Sequence, residues 1–485
     1  MSELQKKWAK ARITTAMNTM APPPSFTDFA EPDDDRYSTY SAGSVPNTPQ
    51  DDDSSSASSV SSTGTVIPSP GRALFARPQG FPSRSLDPIP WTAYFERELF
   101  LPSPDGSITY HVYLTSPAPA AGPGKVGGPL FVTHHGAGSS GLSFAVLGAE
   151  IRKRLPTAGI LSLDARGHGS TTTAGTGAAA GAGAGAQGDG TIEDLSLSTL
   201  ASDLLAVMTL TKAAMRWSSL PPVILVGHSL GGAVVTEFAS VLLPSIRAGL
   251  VSPPPGITST TTTTTTGTPA AAPAKTANLD LDVLGYAVLD VVEGSAMDAL
   301  QSMHAYLATR PAGFESLRDA VEWHVRSRTV RNAVSARASV PGLLVHGNGP
   351  GQSQEGGAGR GGAVSVVDEG SRRGAGKPWR WRTDLAKTQP FWEGWFTGLS
   401  KKFLGGKGGK MLLLAGTDRL DTELTIGQMQ GKYALQVFPE AGHFIHEDLP
   451  EKTAMALVDF HRRNDRSALV LPPKVSDLLA QGKKV

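Results

Sequence analysis

Short apolar runs alternate with amphipathic segments along most of the chain after residue 85. Six of these runs are rich in branched aliphatic residues and end in glycine or a polar residue. They are residues 129–136, 159–169, 222–229, 284–290, 410–416 and 434–443. Runs that are apolar throughout, and not only at alternate positions, are typical of parallel strands buried on both faces. The pattern therefore predicts six buried strands.

Helical patterns separate most of these runs, including residues 199–217 and 231–243. Strands that alternate with helices predict an α/β fold with a mostly parallel central sheet flanked by helices. In such sheets ligands bind beyond the carboxyl ends of the strands. The polar residues that follow the apolar runs are therefore the candidates for chemistry.

Several stretches have a composition that does not favour a packed core. Residues 1–85 are poor in apolar groups and are predicted to be a largely disordered tail, and residues 466–485 a C-terminal tail. Three Gly-, Thr- or Ala-rich insertions fall between patterned segments, as insertions in surface loops do. They are residues 171–190, 253–276 and 347–377.

Composition narrows the possible functions. The 485 residues carry a net charge of +1 with 18% charged residues, so the basic surface that nucleic-acid binding needs is not expected. With no cysteine, the chain has no disulfides or thiolate chemistry. No run of about 18 apolar residues and no secretory signal are evident, so we expect no membrane association. We expect a cytoplasmic and/or nuclear protein, with mitochondrial import through the basic first segment as the minor alternative.

The sequence Val-Gly-His-Ser-Leu-Gly-Gly at residues 226–232 places Ser229 in the pattern G-x-S-x-G. In a glycine-rich chain the pattern alone can arise by accident. Here a predicted strand precedes it and a predicted helix follows it. Gly227 and Gly231 occupy the two positions that a sharp strand-to-helix turn crowds, and Gly232 would ease helix packing. This combination favours Ser229 as a catalytic nucleophile.

A nucleophilic serine needs backbone donors for the oxyanion that forms during acyl transfer. The N–H of Leu230, directly after the serine, is one candidate, and the N–H of Ala137, in the loop after an earlier strand, is the other. His134 and His135 in that loop could instead be metal ligands. Adjacent histidines point to opposite sides of an extended chain, so we expect them to be structural and expect no metal site.

The general base should be a histidine late in the chain, because this fold orders its triad as serine, acid, histidine. His443 follows a glycine at the end of a predicted strand and is favoured over His446. We expect His446 to be hydrogen-bonded in the loop, and Glu447 and Asp448 to cap the next helix. The acid is either Asp290 or Asp418, since each ends a predicted strand and either carboxylate could orient the imidazole.

At these residues the chain resembles the protein phosphatase methylesterase family, whose members are α/β-hydrolases. The similarity spans about residues 86–460 apart from the insertions. Its most specific motifs are Asp-Val-Val-Glu-Gly at residues 290–294 and Leu-Thr-Ile-Gly-Gln-Met-Gln-Gly-Lys at residues 424–432. The resemblance implies a serine carboxylesterase that needs no cofactor and removes the methyl ester from the C-terminal leucine of the type 2A protein phosphatase catalytic subunit. It also implies Asp290 as the triad acid, and a site that the partner can reorganise.

The resemblance further implies a helical cap at residues 295–402, between hydrolase-core segments 86–294 and 403–465. Seven cap residues could line a pocket for the leucine side chain or simply form the cap core. They are Met297, Met303, Trp323, Phe391, Trp392, Trp395 and Phe396. Arg166, Lys387 and Lys432 could receive an acidic peptide tail or belong to a solvated face. We expect a monomer. A general carboxylesterase or lipase, and a non-catalytic binding protein on a hydrolase fold, are the alternatives.

Overall fold

The computed structural model of the chain describes residues 85–120, 122, 127–174, 193–254, 280–347, 377–416 and 420–467. These residues fall within the unit Pro82–Val485, whereas the other unit, Met1–Phe81, lies outside the described residues. Most of the predicted N-terminal tail, C-terminal tail and three insertions also lies outside them, as does Asp418.

The described residues form eleven strands and twelve α-helices. The strands are β1 (Arg97–Pro102), β2 (Ile108–Thr115), β3 (Leu130–His134), β4 (Gly159–Leu163), β5 (Thr172–Thr173), β6 (Val223–His228), β7 (Val283–Leu289), β8 (Leu344–His346), β9 (Trp379–Trp381), β10 (Gly409–Leu414) and β11 (Ala434–Val437). The helices are α1 (Ala145–Arg154), α2 (Leu197–Ala214), α3 (Leu230–Glu237), α4 (Leu243–Arg247), α5 (Glu293–Thr309), α6 (Leu317–Arg326), α7 (Ala333–Ser339), α8 (Trp392–Phe396), α9 (Leu399–Gly405), α10 (Thr422–Met429), α11 (Ile445–Asp448) and α12 (Pro450–Asn464).

Nine of the strands form one sheet in the order β1-β2-β4-β3-β6-β7-β10-β11, with β5 paired to β2. Strands β4, β3, β6, β7, β10 and β11 run parallel to one another, and β2 pairs antiparallel with β4, β1 and β5. Each of the six predicted strands is present. The carboxyl ends of β6, β7 and β11, which carry the candidate site residues, therefore point to one edge of the sheet.

Both faces of the sheet are covered by helices, with α1 and α12 packed together on one side and α2 and α3 on the other. Successive strand residues point to opposite faces, so Leu225 packs on the α2 side and Val226 on the α1 side. All six residues of β6 are buried. This double coverage explains why the sequence shows continuous apolar runs.

The stretch Leu230–Arg247 joins α3, a π-helical turn at Phe238–Leu242 and α4. By length and composition it could cross a membrane, with a mean hydropathy of 1.2 over 18 residues, yet 67% of it is buried inside the fold. It is not a continuous apolar run, since it includes Glu237 and Arg247. Its position against the central strands is that of a core helix.

Between β7 and β10 the chain forms helices α5 to α9, several 3₁₀ turns and an antiparallel pair of strands, β8 and β9. Part of this segment has its own small core, in which Phe314, Val321 and Leu344 are buried and Trp323 and Trp381 pack against them. The sequence did not predict the β8–β9 pair. This segment supplies most of the side chains that lie above the candidate nucleophile.

Candidate active site

Ser229 lies at a sharp turn between β6 and α3. Its backbone has φ 51° and ψ −118°, a left-handed conformation that non-glycine residues rarely adopt. The turn places the serine at the carboxyl edge of the sheet, as the G-x-S-x-G pattern predicts. Backbone strain of this kind costs on the order of 1–3 kcal/mol and concentrates at functional sites.

The glycines around Ser229 are required by close backbone approach. A Cβ atom on Gly227 would collide with the carbonyl of Gly231, and one on Gly231 would collide with the carbonyl of His134. On Gly232 a Cβ would come within 2.8 Å of a Val291 methyl group. The turn and the first contact of α3 with the sheet therefore leave no room for side chains at these three positions.

Asp290 and His443 meet beside this turn. Strand β7 lies next to β6 in the sheet, so Asp290 at its end comes close to Ser229. His443 follows β11, and its Nδ1–H donates to Asp290 Oδ2 at 2.8 Å. The other carboxylate oxygen, Oδ1, accepts the backbone N–H of Ala415 at 2.9 Å. The Asp290 side chain is fully buried while 45% of the His443 side chain is exposed, so the imidazole can face a substrate.

The third contact of the triad is open in this conformation. Within the described part of the chain, the Ser229 hydroxyl forms no hydrogen bond with the His443 imidazole. Hydrogen bonds of this kind are often long in the absence of substrate and close in the complex. Asp290 and His443 are therefore paired in this conformation, whereas Ser229 and His443 are not.

His228, directly before Ser229, is hydrogen-bonded to the loop that carries His443. It is buried, and its Nε2–H donates to the carbonyl oxygen of His443 at 2.8 Å. Burial lowers its pKa to about 3, so the ring is neutral at physiological pH. A neutral donor at this point fixes the backbone of His443 without adding positive charge next to the base.

The Ala137 and Leu230 N–H groups lie where an oxyanion hole is predicted. Leu230 is the first residue of α3, so its N–H has no partner within the helix. Gly136 lies against the nucleophile turn, since a Cβ there would be 3.1 Å from Ser229 Cβ. Neither N–H donates a hydrogen bond to another described residue, which leaves both available to a developing negative charge.

The loop that carries Ala137 is held by two residues that sequence reasoning did not single out. His168 Nε2 accepts the N–H of Gly138 at 2.9 Å, and Asp164 Oδ1 accepts the N–H of Gly141 at 2.7 Å. Both follow β4 and are buried. Polar residues directly after a buried strand are candidates for positioning a loop at the site. The sequence shows this signal after β4, at Asp164 and His168.

His134 and His135 have structural roles. His134 Nδ1–H donates to the carbonyl of His135 at 3.0 Å, and His135 Nδ1–H donates to the carbonyl of Gly136 at 2.8 Å. His135 Nε2 accepts the N–H of Ala165. Burial lowers the pKa of both rings. Among the described residues no group of three potential metal ligands is present.

The expected roles of the residues after His443 are wrong. His446 is fully buried against Phe144, and neither of its ring nitrogens has a hydrogen-bond partner among the described residues. Glu447 accepts the hydroxyl of Ser339 at 2.5 Å and does not cap α12. Asp448 instead accepts the N–H groups of Gly442 and Arg331, each at 2.7 Å, which bends the chain back beside His443. In the sequence these polar residues stand directly before a predicted helix, which favours loop and capping roles, whereas tertiary packing buries all three.

A cavity of about 180 Å³ lies over Ser229 and is lined mainly by apolar and aromatic side chains of the segment between β7 and β10. Five of the seven residues expected there line it. They are Met303, Trp323, Trp392, Trp395 and Phe396. Met297 and Phe391 pack instead against the main core. An apolar pocket beside a serine, an imidazole and two free N–H groups suits a substrate with an aliphatic group next to an ester.

Comparison with known proteins identifies the family. Residues 130–456 match the model of the Alpha/beta hydrolase family. The chain is 62% identical to Protein phosphatase methylesterase 1 of Neurospora crassa and 55% identical to that of Gibberella zeae, with 100% of both chains covered in each case. It is 49% identical to that of Aspergillus oryzae over 99% of this chain and 94% of the relative. The chain belongs to the protein phosphatase methylesterase family.

Two of the three cations suggested as tail-binding groups in this methylesterase family member do not suit that role. Arg166 forms a bidentate ion pair with Asp203, both contacts being 2.8 Å. Lys432 precedes β11 and so lies at the amino end of the strand, away from the site. Lys387 is 81% exposed in the 3₁₀ turn Leu385–Phe391. It is the one of the three that lies near the pocket, since Leu385 lines it.

Proposed function

We propose that the protein is a serine carboxylesterase that hydrolyses the methyl ester of the C-terminal leucine of the type 2A protein phosphatase catalytic subunit. The observation that carries the chemistry is the hydrogen bond from His443 to Asp290, formed beside Ser229 at its strained turn. Relatives named Protein phosphatase methylesterase 1, at up to 62% identity over the whole chain, support the substrate. The apolar pocket is consistent with a leucine side chain.

In the first half-reaction Ser229 Oγ attacks the ester carbonyl carbon while His443 Nε2 takes the hydroxyl proton. The tetrahedral oxyanion accepts hydrogen bonds from the backbone N–H groups of Ala137 and Leu230. The C–O bond to the methoxy group then breaks, and His443 returns the proton to that oxygen to release methanol. Asp290 keeps the imidazole in the tautomer with a free Nε2 and stabilises its charged form.

In the second half-reaction water attacks the acyl-enzyme, and His443 takes one proton from that water. Collapse of the second tetrahedral intermediate breaks the bond to Ser229 Oγ, and His443 returns the proton to the serine. The product is the free leucine carboxylate. Each step uses side chains of this chain and water.

Comparing two substrates tests the substrate assignment. We expect the wild-type protein to demethylate the methylated phosphatase much faster than it hydrolyses p-nitrophenyl acetate, because the open contact between Ser229 and His443 needs the larger partner to close it. Fast hydrolysis of small esters with no action on the phosphatase would indicate a general carboxylesterase or lipase instead.

Labelling by a fluorophosphonate tests whether the site is catalytic at all. We expect the wild-type protein and the control Ser245→Ala to be labelled, since Ser245 is half-buried on α4 and its hydroxyl donates to the carbonyl of Val241. Ser229→Ala should not be labelled. No labelling of the wild-type protein would indicate a non-catalytic binding protein.

A further inference from the structure

Arg310 is a cation in the wall of the active-site pocket, directly after the last turn of α5. In the described part of the chain its guanidinium forms neither an ion pair nor a side-chain hydrogen bond. Burial lowers the pKa of Arg310 below its usual value. A partly buried charge without a counter-ion is costly unless a partner arrives from outside.

The position of the guanidinium is fixed by Trp381. Its Cζ lies 3.6 Å from the centroid of the Trp381 ring, a cation–π contact. The ring is held in turn, because its Nε1–H donates to the carbonyl of Pro311 at 2.7 Å. Stacking uses the face of the guanidinium and leaves its N–H edges free. Such a pre-positioned fork matches the two oxygens of a carboxylate.

The carboxyl groups of this chain that border the pocket have other partners. Asp290 binds His443, and Glu447 accepts the hydroxyl of Ser339. Burial raises the pKa of Glu447 to about 8, so it is neutral at pH 7. Among the described residues that line the pocket, none therefore supplies an anion that balances the positive charge of Arg310.

We propose that Arg310 binds the carboxylate of an acidic side chain in the substrate, upstream of the esterified leucine. This inference rests on the proposed function, which places a peptide C-terminus in the pocket. In that substrate the terminal carboxyl is an uncharged ester and lies at Ser229, between the oxyanion donors. The negative charge that Arg310 receives must therefore come from a side chain earlier in the peptide.

The test uses synthetic peptides that end in leucine methyl ester. One aspartate is moved through the preceding positions, and each peptide has an asparagine twin. For the wild-type protein we expect aspartate to raise kcat/KM about 10-fold over asparagine at one position, since a charge-assisted hydrogen bond is worth roughly that factor. The preference should fall with added salt.

Variants connect that preference to Arg310. Arg310→Gln should abolish it, so that the aspartate and asparagine peptides of each pair have the same kcat/KM. Arg310→Lys should retain part of it, because the charge stays but the fork is lost. Arg326→Gln is the matched control, since Arg326 is 80% exposed on α6 and pairs with Glu322. It should keep the full preference. An equal aspartate-to-asparagine ratio in wild type and Arg310→Gln would overturn the proposal.

Product inhibition tests whether Arg310 binds the terminal carboxylate that the reaction frees, and not an acidic side chain of the substrate. If Arg310 held the newly freed terminal carboxylate, Arg310→Gln would weaken inhibition by every free-acid product peptide, with or without aspartate, and that result would contradict the proposal. If the thermal midpoint shows that Arg310→Gln is unfolded, the aspartate-to-asparagine ratios of kcat/KM are compared between wild type and Arg310→Lys. An equal ratio in these two proteins would then overturn the proposal. Hydrolysis of all peptides regardless of charge refutes this inference alone, whereas fluorophosphonate-reactive protein that leaves the methylated phosphatase unchanged refutes the proposed function.

Discussion

Asp290→Asn replaces one carboxylate oxygen with an amide NH₂ and should preserve the fold. Asparagine tolerates the positive φ of 51° at this position as aspartate does. Its amide oxygen can still accept the N–H of Ala415, as Asp290 Oδ1 does at 2.9 Å. That choice turns the NH₂ group toward His443 Nδ1, where Asp290 Oδ2 now accepts at 2.8 Å.

A donor facing Nδ1 forces the imidazole proton onto Nε2, the atom that must accept the proton of Ser229. The base is then in the wrong tautomer, and the charge of the imidazolium is no longer balanced. In serine triads this change lowers turnover about 10⁴-fold. The loss corresponds to about 5.5 kcal/mol of transition-state stabilisation. We expect a loss of this order, with the thermal midpoint close to that of the wild-type protein.

The assay compares kcat on the methylated phosphatase for wild type, Asp290→Asn and Asp418→Asn. Asp418 is the other carboxylate that the sequence allows as the acid, and its replacement should cost much less. If Asp290→Asn keeps turnover within about 10-fold of wild type, or if Asp418→Asn loses more, the tautomer argument fails. The second outcome would transfer the orienting role to Asp418.

Two further predictions concern buried groups near the site. The folded-state pKa of Glu447, about 8 against 4.5 in the unfolded chain, means that the folded state binds more protons between these values, so stability should fall as pH rises through that window. Glu447→Gln should flatten this dependence in thermal unfolding measured from pH 5 to 8, and an unchanged slope would count against the assignment. Gly231→Ala places a Cβ against the His134 carbonyl and should destabilise the fold by at least about 2 kcal/mol in urea unfolding. Gly394→Ala, where a Cβ meets nothing within 4 Å, should be near neutral, and equal losses in the two variants would refute the steric argument.

The parallel part of the fold could be predicted because its physics is local in sequence. Strands buried on both faces must be apolar throughout, so β3, β4, β6, β7 and β10 stand out as continuous runs. The predicted strand β11 is instead a half-buried strand at the edge of the sheet. The antiparallel strands β1 and β2 were not predicted, since β1 is largely exposed and shows no continuous apolar run. A turn signal was nevertheless present between them, where Asp105 precedes Gly106 at φ 69°.

Motif and chain order single out Ser229 and His443 as the candidate nucleophile and base, but they do not choose between Asp290 and Asp418 as the candidate acid. Asp290 and Asp418 each follow a strand, and choosing between them requires knowing which strand lies beside β6. The sheet order supplies that information, because β7 pairs with β6 and β10 lies one strand further. The family resemblance favoured Asp290, and the hydrogen bond to His443 agrees with it.

Buried polar residues were the least predictable part of the site. His446 and Glu447 were expected in loop and capping roles, and nothing in the sequence singles out Arg310, since charged and polar side chains are mostly exposed. Their burial comes from partners far away along the chain, such as Phe144, Ser339 and the β8–β9 pair. Only the three-dimensional packing brings these groups together.

The most direct test of the proposed function measures methanol release from the methylated phosphatase catalytic subunit, together with the mass of its C-terminal peptide. With the wild-type protein we expect one methanol for each leucine methyl ester lost. Ser229→Ala, folded to the same thermal midpoint, should release none. Demethylation by Ser229→Ala at the wild-type rate, or wild-type protein that leaves the methyl ester intact, would contradict a Ser229-dependent methylesterase.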